Sequence, residues 1–120
     1  MSHKQIIQDY IEGWKEKNPE KILNTLHENC TIIESHGPKY QGKEKISKWI
    51  ENWTSENKVE SWEITSFNET QDAVFIEWTF ECTVKDKKHL IEGASIIKFT
   101  DDKINYIREY KTSRKLFDYK

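Results

Sequence analysis

The chain has 120 residues, 35% of them hydrophobic and 12% aromatic, which predicts one domain, residues 1–120, with one core. Charged residues make up 33% of the chain, but their signs nearly cancel to a formal net charge of −2. That balance argues against a nucleic-acid-binding protein, which presents a basic face, and the five tryptophans argue against a disordered chain.

No segment has the character of a membrane span or a secretory leader. Apolar runs stay well below the roughly 18 residues that a span needs, and the opening MSHKQIIQDY lacks the apolar core of a signal peptide. We therefore expect a cytoplasmic protein with no membrane partner. Thiols stay reduced in the cytoplasm, so Cys30 and Cys82, both in strand-like runs, are expected to be buried and free. The histidines show no metal-ligand spacing, and we expect neither a metal nor a cofactor.

The chain begins with two helical patterns. Residues 3–17 place apolar side chains on one helical face, with Ser2 at the N-cap position. A second, shorter helix starts at Pro19, a residue favoured at the first helical position, with Asn18 as its N-cap. The two patterns predict consecutive helices that share one apolar side.

A short strand and a third helix follow. The run CTIIE, residues 30–34, is rich in β-branched residues and ends in the polar turn ESHGP, residues 34–38. Apolar residues then recur at i, i+3, i+4 and i+7 over residues 43–56, which predicts a third helix.

The second half of the chain changes to a period of two. Polar turn segments separate four strand-like runs at residues 59–67, 72–84, 89–99 and 103–113. In the second run, one face carries Val74, Ile76, Trp78, Phe80, Cys82 and Val84. The pattern predicts an antiparallel meander, and helices segregated to one side of such a sheet make an α+β domain.

The element order and three motifs resemble the SnoaL-like branch of the nuclear transport factor 2 superfamily, which includes ketosteroid isomerase. The motifs are YIEGWKEKNPEKILNTLHENCTIIE, YQGKEKISKWIENW and GASIIKFTDDKINYIREY. The resemblance covers nearly the whole chain. It implies a cone-shaped fold, in which three N-terminal helices pack on a strongly curved, mostly antiparallel β-sheet. The open end of such a cone leaves a mostly apolar pocket with a few polar groups.

The resemblance also implies site residues. In ketosteroid isomerase a carboxylate at the end of the first strand is the general base, and a tyrosine on the first helix stabilises the enolate. Glu34 and Tyr10 fall at the matching positions, and His36 is close enough in sequence to be a proton partner of Glu34. The family's protonated acid falls at Ser95, which argues against steroid isomerisation. By the same pattern the pocket is lined by Trp14, Trp53, Ile76, Trp78, Phe80, Ser95, Ile107 and Glu109.

Each of these residues also has an ordinary structural role open to it. Tyr10 can close the core, Glu34 can be a solvated strand end, and His36 can be a turn residue. The tryptophans can belong to the core, and Glu109 can face solvent. The pattern does not choose between these roles.

Two classes of function are therefore predicted. One is a cofactor-free acid–base enzyme, an isomerase, dehydratase or cyclase, acting on a small apolar carbonyl compound. The other is a non-catalytic module that binds a small ligand or a partner protein. A pocket filled by its own tryptophans is a third outcome. Apolar and aromatic residues on the outer sheet face, together with the resemblance, predict a homodimer through that convex face.

Overall fold

The computed structural model describes residues 1–120 and contains three helices and six strands. In chain order these are α1 (His3–Lys15), α2 (Pro19–Leu23), β1 (Leu26–Ile33), β2 (Lys39–Gln41), α3 (Lys43–Glu56), β3 (Asn57–Glu69), β4 (Val74–Val84), β5 (Lys87–Thr100) and β6 (Lys103–Lys111). The predicted α+β architecture, with helices packed on a curved and mostly antiparallel sheet, is confirmed. The strand β2 was not predicted.

The helix boundaries follow from local capping. The Ser2 hydroxyl accepts a hydrogen bond from the Gln5 N–H at 3.1 Å, and the Asn18 side chain accepts one from the Lys21 N–H at 3.1 Å. α1 ends at Lys15 rather than at the predicted residue 17, because Lys17 adopts a φ of 53°, outside the helical region. None of the three helices has both the length and the apolar character that crossing a membrane requires.

The sheet has the order β2-β1-β6-β5-β4-β3. The four strands β3 to β6 form the predicted antiparallel meander, whereas β1 pairs with β6 in parallel. The pairing register shifts twice between β3 and β4 and once between β5 and β6. Such irregularities bend strands and increase their twist, which favours the curvature of the cone.

The core lies between the helices and the inner face of the sheet. It is made largely of β-branched residues from both layers, and the side chains with the least exposure are Ile7, Ile22, Leu26, Cys30, Ile32, Ile46, Ile50, Val74, Ile104 and Ile107. Burying a side chain of this size contributes roughly 1.5–3 kcal/mol, so these contacts hold the helices on the sheet. Cys30 and Cys82 are both buried, and they form no disulfide.

Gly93 on β5 lies directly opposite Trp78 on β4, and the indole ring covers it. A Cβ atom added at Gly93 would lie 2.5 Å from the Trp78 ring and would also collide with the Tyr110 carbonyl oxygen. A methyl group therefore has no room between the ring and the backbone of β6. We expect Gly93→Ala to lower the free energy of unfolding by about 2 kcal/mol, the cost of forcing an extra group into a packed site.

This expectation can be checked by urea unfolding followed by circular dichroism. Glu92→Ala, at the neighbouring exposed position of β5, is the matched control and should change stability little. A Gly93→Ala protein as stable as the control would mean that Trp78 can move away without loss.

Candidate functional site

A cavity of about 410 Å³ lies at the open end of the cone, between α1, α3, the turn after β1 and strands β3 to β6. This volume is typical of sites that hold small organic ligands. The cavity is therefore not filled by its own tryptophans. Most of the residues predicted for the site line it, namely Tyr10, Trp14, Glu34, His36, Trp53, Trp78, Phe80 and Glu109.

Three residues that were predicted to line the pocket do not reach it. Ile76 and Ile107 are 3% and 2% exposed and belong to the core below the cavity, so their assignment as pocket-lining residues was wrong. Ser95 is also buried, and its hydroxyl accepts a hydrogen bond from the Trp78 indole N–H at 2.8 Å. Trp78 lines the cavity and Ser95 does not, so the role that this bond gives Ser95 is to orient the Trp78 ring.

The cavity wall also contains residues that the sequence did not single out. These are Ser35, Trp49, Val59, Trp62, Cys82, Val84, His89, Ile91 and Lys111. Trp49 follows the apolar stripe of α3, so its helical spacing was a usable signal. Trp62 gave no such signal, because the register shift after Val59 changes which residues of β3 face inward.

Glu34 and Glu109 come together because β1 and β6 run parallel. Ile33, the last residue of β1, pairs with Arg108 on β6, so the next residue of each strand emerges at the same edge. Both side chains line the cavity. The Glu34 side chain is 18% exposed, which is low for a carboxylate at the end of a strand.

Glu109 is the carboxyl whose protonation the site changes most. Burial raises its pKa from 4.5 to about 8, and the nearby charge of Glu34 acts in the same direction. Glu109 also lies opposite Ser95 in the pairing of β5 with β6. The protonated carboxyl of Glu109 on β6 therefore lies opposite Ser95 on β5, the position to which the resemblance assigned the family's acid.

Glu34 is held by a tyrosine that the sequence analysis did not identify. The Tyr40 hydroxyl on β2 donates a hydrogen bond of 2.7 Å to Glu34 Oε1, and the Tyr40 ring stacks on Trp49 at 4.5 Å between centroids. Burial and the Glu34 carboxylate raise the pKa of Tyr40, so its hydroxyl stays a donor. His36 lies at the rim, with its Nδ1 3.9 Å from Glu34 Oε2 and its side chain 59% exposed.

Tyr10 on α1 is 4% exposed and lines the same cavity. Burial, followed by the Glu109 carboxylate, raises its pKa well above the usual value for a phenol. The hydroxyl therefore keeps its proton and can donate a hydrogen bond. The indole N–H groups of Trp14 and Trp62 are buried in the cavity wall without an acceptor. Such donors are rare in folded proteins, and both nitrogen atoms are shielded from the cavity as well as from solvent.

Residues 7–107 match the sequence profile of the SnoaL-like domain. The chain belongs to the SnoaL-like domain family. Its fold is that of the nuclear transport factor 2 and ketosteroid isomerase superfamily, as the motifs implied. A search among curated proteins found no match to this SnoaL-like chain.

Solved structures with the same fold cover most of the chain. A hypothetical protein with a ketosteroid isomerase-like fold from Catenulispora acidiphila DSM 44928, in complex with trimethylamine, is 20% identical with a TM-score of 0.79 and covers 88% of this chain and 84% of its own. An NTF2-like protein of unknown function from Cytophaga hutchinsonii ATCC 33406 is 15% identical, with a TM-score of 0.73 and coverage of 93% and 91%. An LEH-like epoxide hydrolase from M. tuberculosis is 10% identical, with a TM-score of 0.82 and coverage of 92% and 82%. At these identities the likeness shows the shared fold.

The bond from Tyr40 to Glu34 in this SnoaL-like domain can be tested directly. Tyr40→Phe removes the donor but keeps the ring on Trp49, and we expect the free energy of unfolding at pH 7 to fall by about 1 kcal/mol, since Tyr40 is partly exposed. Urea unfolding measures the change, with Tyr106→Phe on the outer sheet face as the control. In a Glu34→Gln background the same substitution should cost less, because the bond is then no longer charge-assisted. Equal costs in both backgrounds would contradict this account.

Proposed function

We propose that this SnoaL-like protein is a cofactor-free acid–base enzyme that transfers a proton within a small apolar carbonyl compound. The observation that supports it most directly is the pair of carboxyl groups, Glu34 and Glu109, in one largely aromatic cavity. A carboxyl group with a raised pKa can act as the acid beside a second carboxyl group that acts as the base. Isomerisation, dehydration and cyclisation all begin with such a transfer.

The proposed roles follow from the position of each group and from the raised pKa values of Glu109 and Tyr10. Glu34 is the base and takes a proton from the carbon next to the carbonyl group. The developing enolate oxygen accepts hydrogen bonds from the protonated carboxyl of Glu109 and from the hydroxyl of Tyr10. The proton then returns from Glu34 to a second carbon or to a leaving group. His36 is assigned to the rim of the site, because its side chain is largely exposed.

The experiment is proton–deuterium exchange in a panel of small ketones and aldehydes, followed by NMR in D₂O. We expect exchange next to the carbonyl group in at least one class of compound, at a rate that falls as the pH rises through about 8, where Glu109 loses its proton. Binding of these compounds without any exchange would favour the alternative, a non-catalytic ligand-binding module. The trimethylamine complex of the Catenulispora acidiphila protein is consistent with either, since both need a small-ligand pocket.

We also propose that the protein forms a homodimer through the convex face of its sheet. Phe75 and Tyr110 are 41% and 46% exposed there, and Phe75 pairs with Ile96 while Tyr110 pairs with Ala94. Large apolar side chains grouped on a sheet face are costly to leave in water. Light scattering at micromolar concentration should give about twice the chain mass of 14.4 kDa, and Phe75→Lys should reduce it to one chain. A wild-type protein with the mass of one chain would contradict the dimer.

A further inference from the structure

All five tryptophans of the chain line the same cavity. We call Trp14, Trp49, Trp53, Trp62 and Trp78 the tryptophan wall. Around Trp62 the rings stand steeply to one another, at 80° between Trp62 and Trp78, 84° between Trp62 and Phe80, and 71° between Trp78 and Phe80. The five tryptophans and Phe80 line one cavity, so a bound group packs mainly against aromatic rings. Ring faces carry negative electrostatic potential.

The polar part of the cavity contains two carboxyl groups without a close cationic partner. Neither Glu34 nor Glu109 forms an ion pair with a lysine or arginine, and the only basic group within 4.0 Å of either carboxylate is His36, at 3.9 Å from Glu34. The titratable groups that line the cavity with Glu109 are Tyr10, Glu34, His36, Cys82, His89 and Lys111. Tyr40 adds its hydroxyl through the bond to Glu34. Lys111 lines the cavity but is exposed, and no lysine or arginine lies within ion-pair distance of either carboxyl group.

We propose that the ligand of this cavity carries an alkylated ammonium group, which sits against the tryptophan wall beside Glu109 and Glu34. An anionic group would be repelled by the Glu34 carboxylate and would oppose the ionisation of Glu109, and a purely hydrocarbon group would leave both carboxyl groups without a partner. An alkylated ammonium fits both the tryptophan wall and the carboxyl groups. Its alkyl groups pack against aromatic rings, and its charge is attracted to ring faces and carboxylates. The inference rests on the proposed function only for the carbonyl half of the substrate, where a bound cation that ionises Glu109 would leave Tyr10 as the donor to the enolate. The cationic half can be tested by binding alone.

Isothermal titration calorimetry with a matched pair of probes tests the cationic half. Choline and 3,3-dimethylbutan-1-ol have almost the same shape, but only choline carries a charge. We expect choline to bind at least about tenfold more tightly, as a cation does over a desolvated aromatic face. At pH 7 Glu109 is largely protonated, and the cation should drive it to ionise, so choline binding should release up to about one proton. The proton release appears as a heat that depends on the buffer, and the neutral alcohol should show none.

Variants separate the two parts of the site. Glu109→Gln should abolish the proton release and most of the preference for choline, whereas Glu92→Gln, at an exposed position of β5, should leave both unchanged. Trp53 is only partly buried, so it can be replaced without opening the core. Trp53→Leu should weaken choline binding but not alcohol binding, and Trp53→Phe should keep most of the choline affinity because it keeps a ring face.

The outcomes also separate this inference from the proposed function. Choline that binds no better than the alcohol, that fails to bind at millimolar concentration, or that keeps its affinity in Glu109→Gln would overturn the cationic ligand. Exchange of neutral ketones by the same preparation would then still support the acid–base enzyme. Tight choline binding with no exchange in any carbonyl compound, cationic ones included, would support the cationic ligand and contradict the enzyme.

Discussion

Glu109→Gln is expected to stabilise the protein by about 3 kcal/mol at pH 9 and to change its stability little at pH 4. In the unfolded chain Glu109 ionises near its ordinary pKa of 4.5, whereas in the folded protein it stays protonated up to about pH 8. A carboxyl with a raised pKa therefore costs stability as the pH rises from 4.5 to 8, and above 8 the cost is complete. One pKa unit corresponds to about 1.36 kcal/mol, so ionising Glu109 in the folded protein costs at most about 5 kcal/mol of stability. Access of water to the cavity lowers this cost.

Urea unfolding of both proteins at pH 4, 7 and 9, followed by circular dichroism, gives the three differences. Glutamine resembles the protonated form of Glu109, so the variant should lack the loss of stability that the wild type shows between pH 4 and 9. Glu92→Gln provides the control for removing a carboxylate that is exposed. Parallel pH profiles for Glu109→Gln and the wild type would mean that Glu109 is solvated in the folded state.

Glu34→Gln is expected to lower the rate of proton exchange in a carbonyl substrate by about 10²- to 10⁴-fold, the usual contribution of a positioned general base. The amide keeps the size of the side chain, and its oxygen can still accept the bond from Tyr40, but it cannot take a proton from carbon. Circular dichroism and thermal unfolding should therefore remain close to those of the wild type.

The His36→Gln variant distinguishes between the two predicted bases, Glu34 and His36. This side chain is 59% exposed at the rim, so its replacement should lower the exchange rate by less than about tenfold. If Glu34→Gln kept the wild-type rate while His36→Gln lost it, the base would be His36. If both kept the rate, neither would be the base.

Much of the fold was predictable because its signals are local. The stripe of α3 and the alternation in β4 appear directly in the sequence, and the caps at Ser2 and Asn18 fix where two helices begin. β2 was missed because three residues after a Gly-Pro turn are too few to show a period. β1 was predicted to begin at Cys30 but begins at Leu26, because the polar residues after Leu26 hide the strand.

The site was less predictable because its main contacts cross the sheet. The resemblance placed the family's acid at Ser95, and it could not show that Glu109 on the next strand lies opposite that position. The parallel pairing of β1 with β6, which brings Glu34 beside Glu109, joins residues from opposite ends of the chain. Tyr40 was missed together with β2, the strand that carries it.

The tryptophan wall gives the protein an optical property that is useful in the laboratory. Because no tryptophan lies elsewhere in the chain, the ultraviolet emission excited at long wavelength arises from one cavity, without background from a distant indole. A quencher or an energy acceptor in that cavity therefore acts on every emitter at once. Occupancy of the site can be followed in real time with the unlabelled wild-type protein, even for compounds that undergo no chemical change.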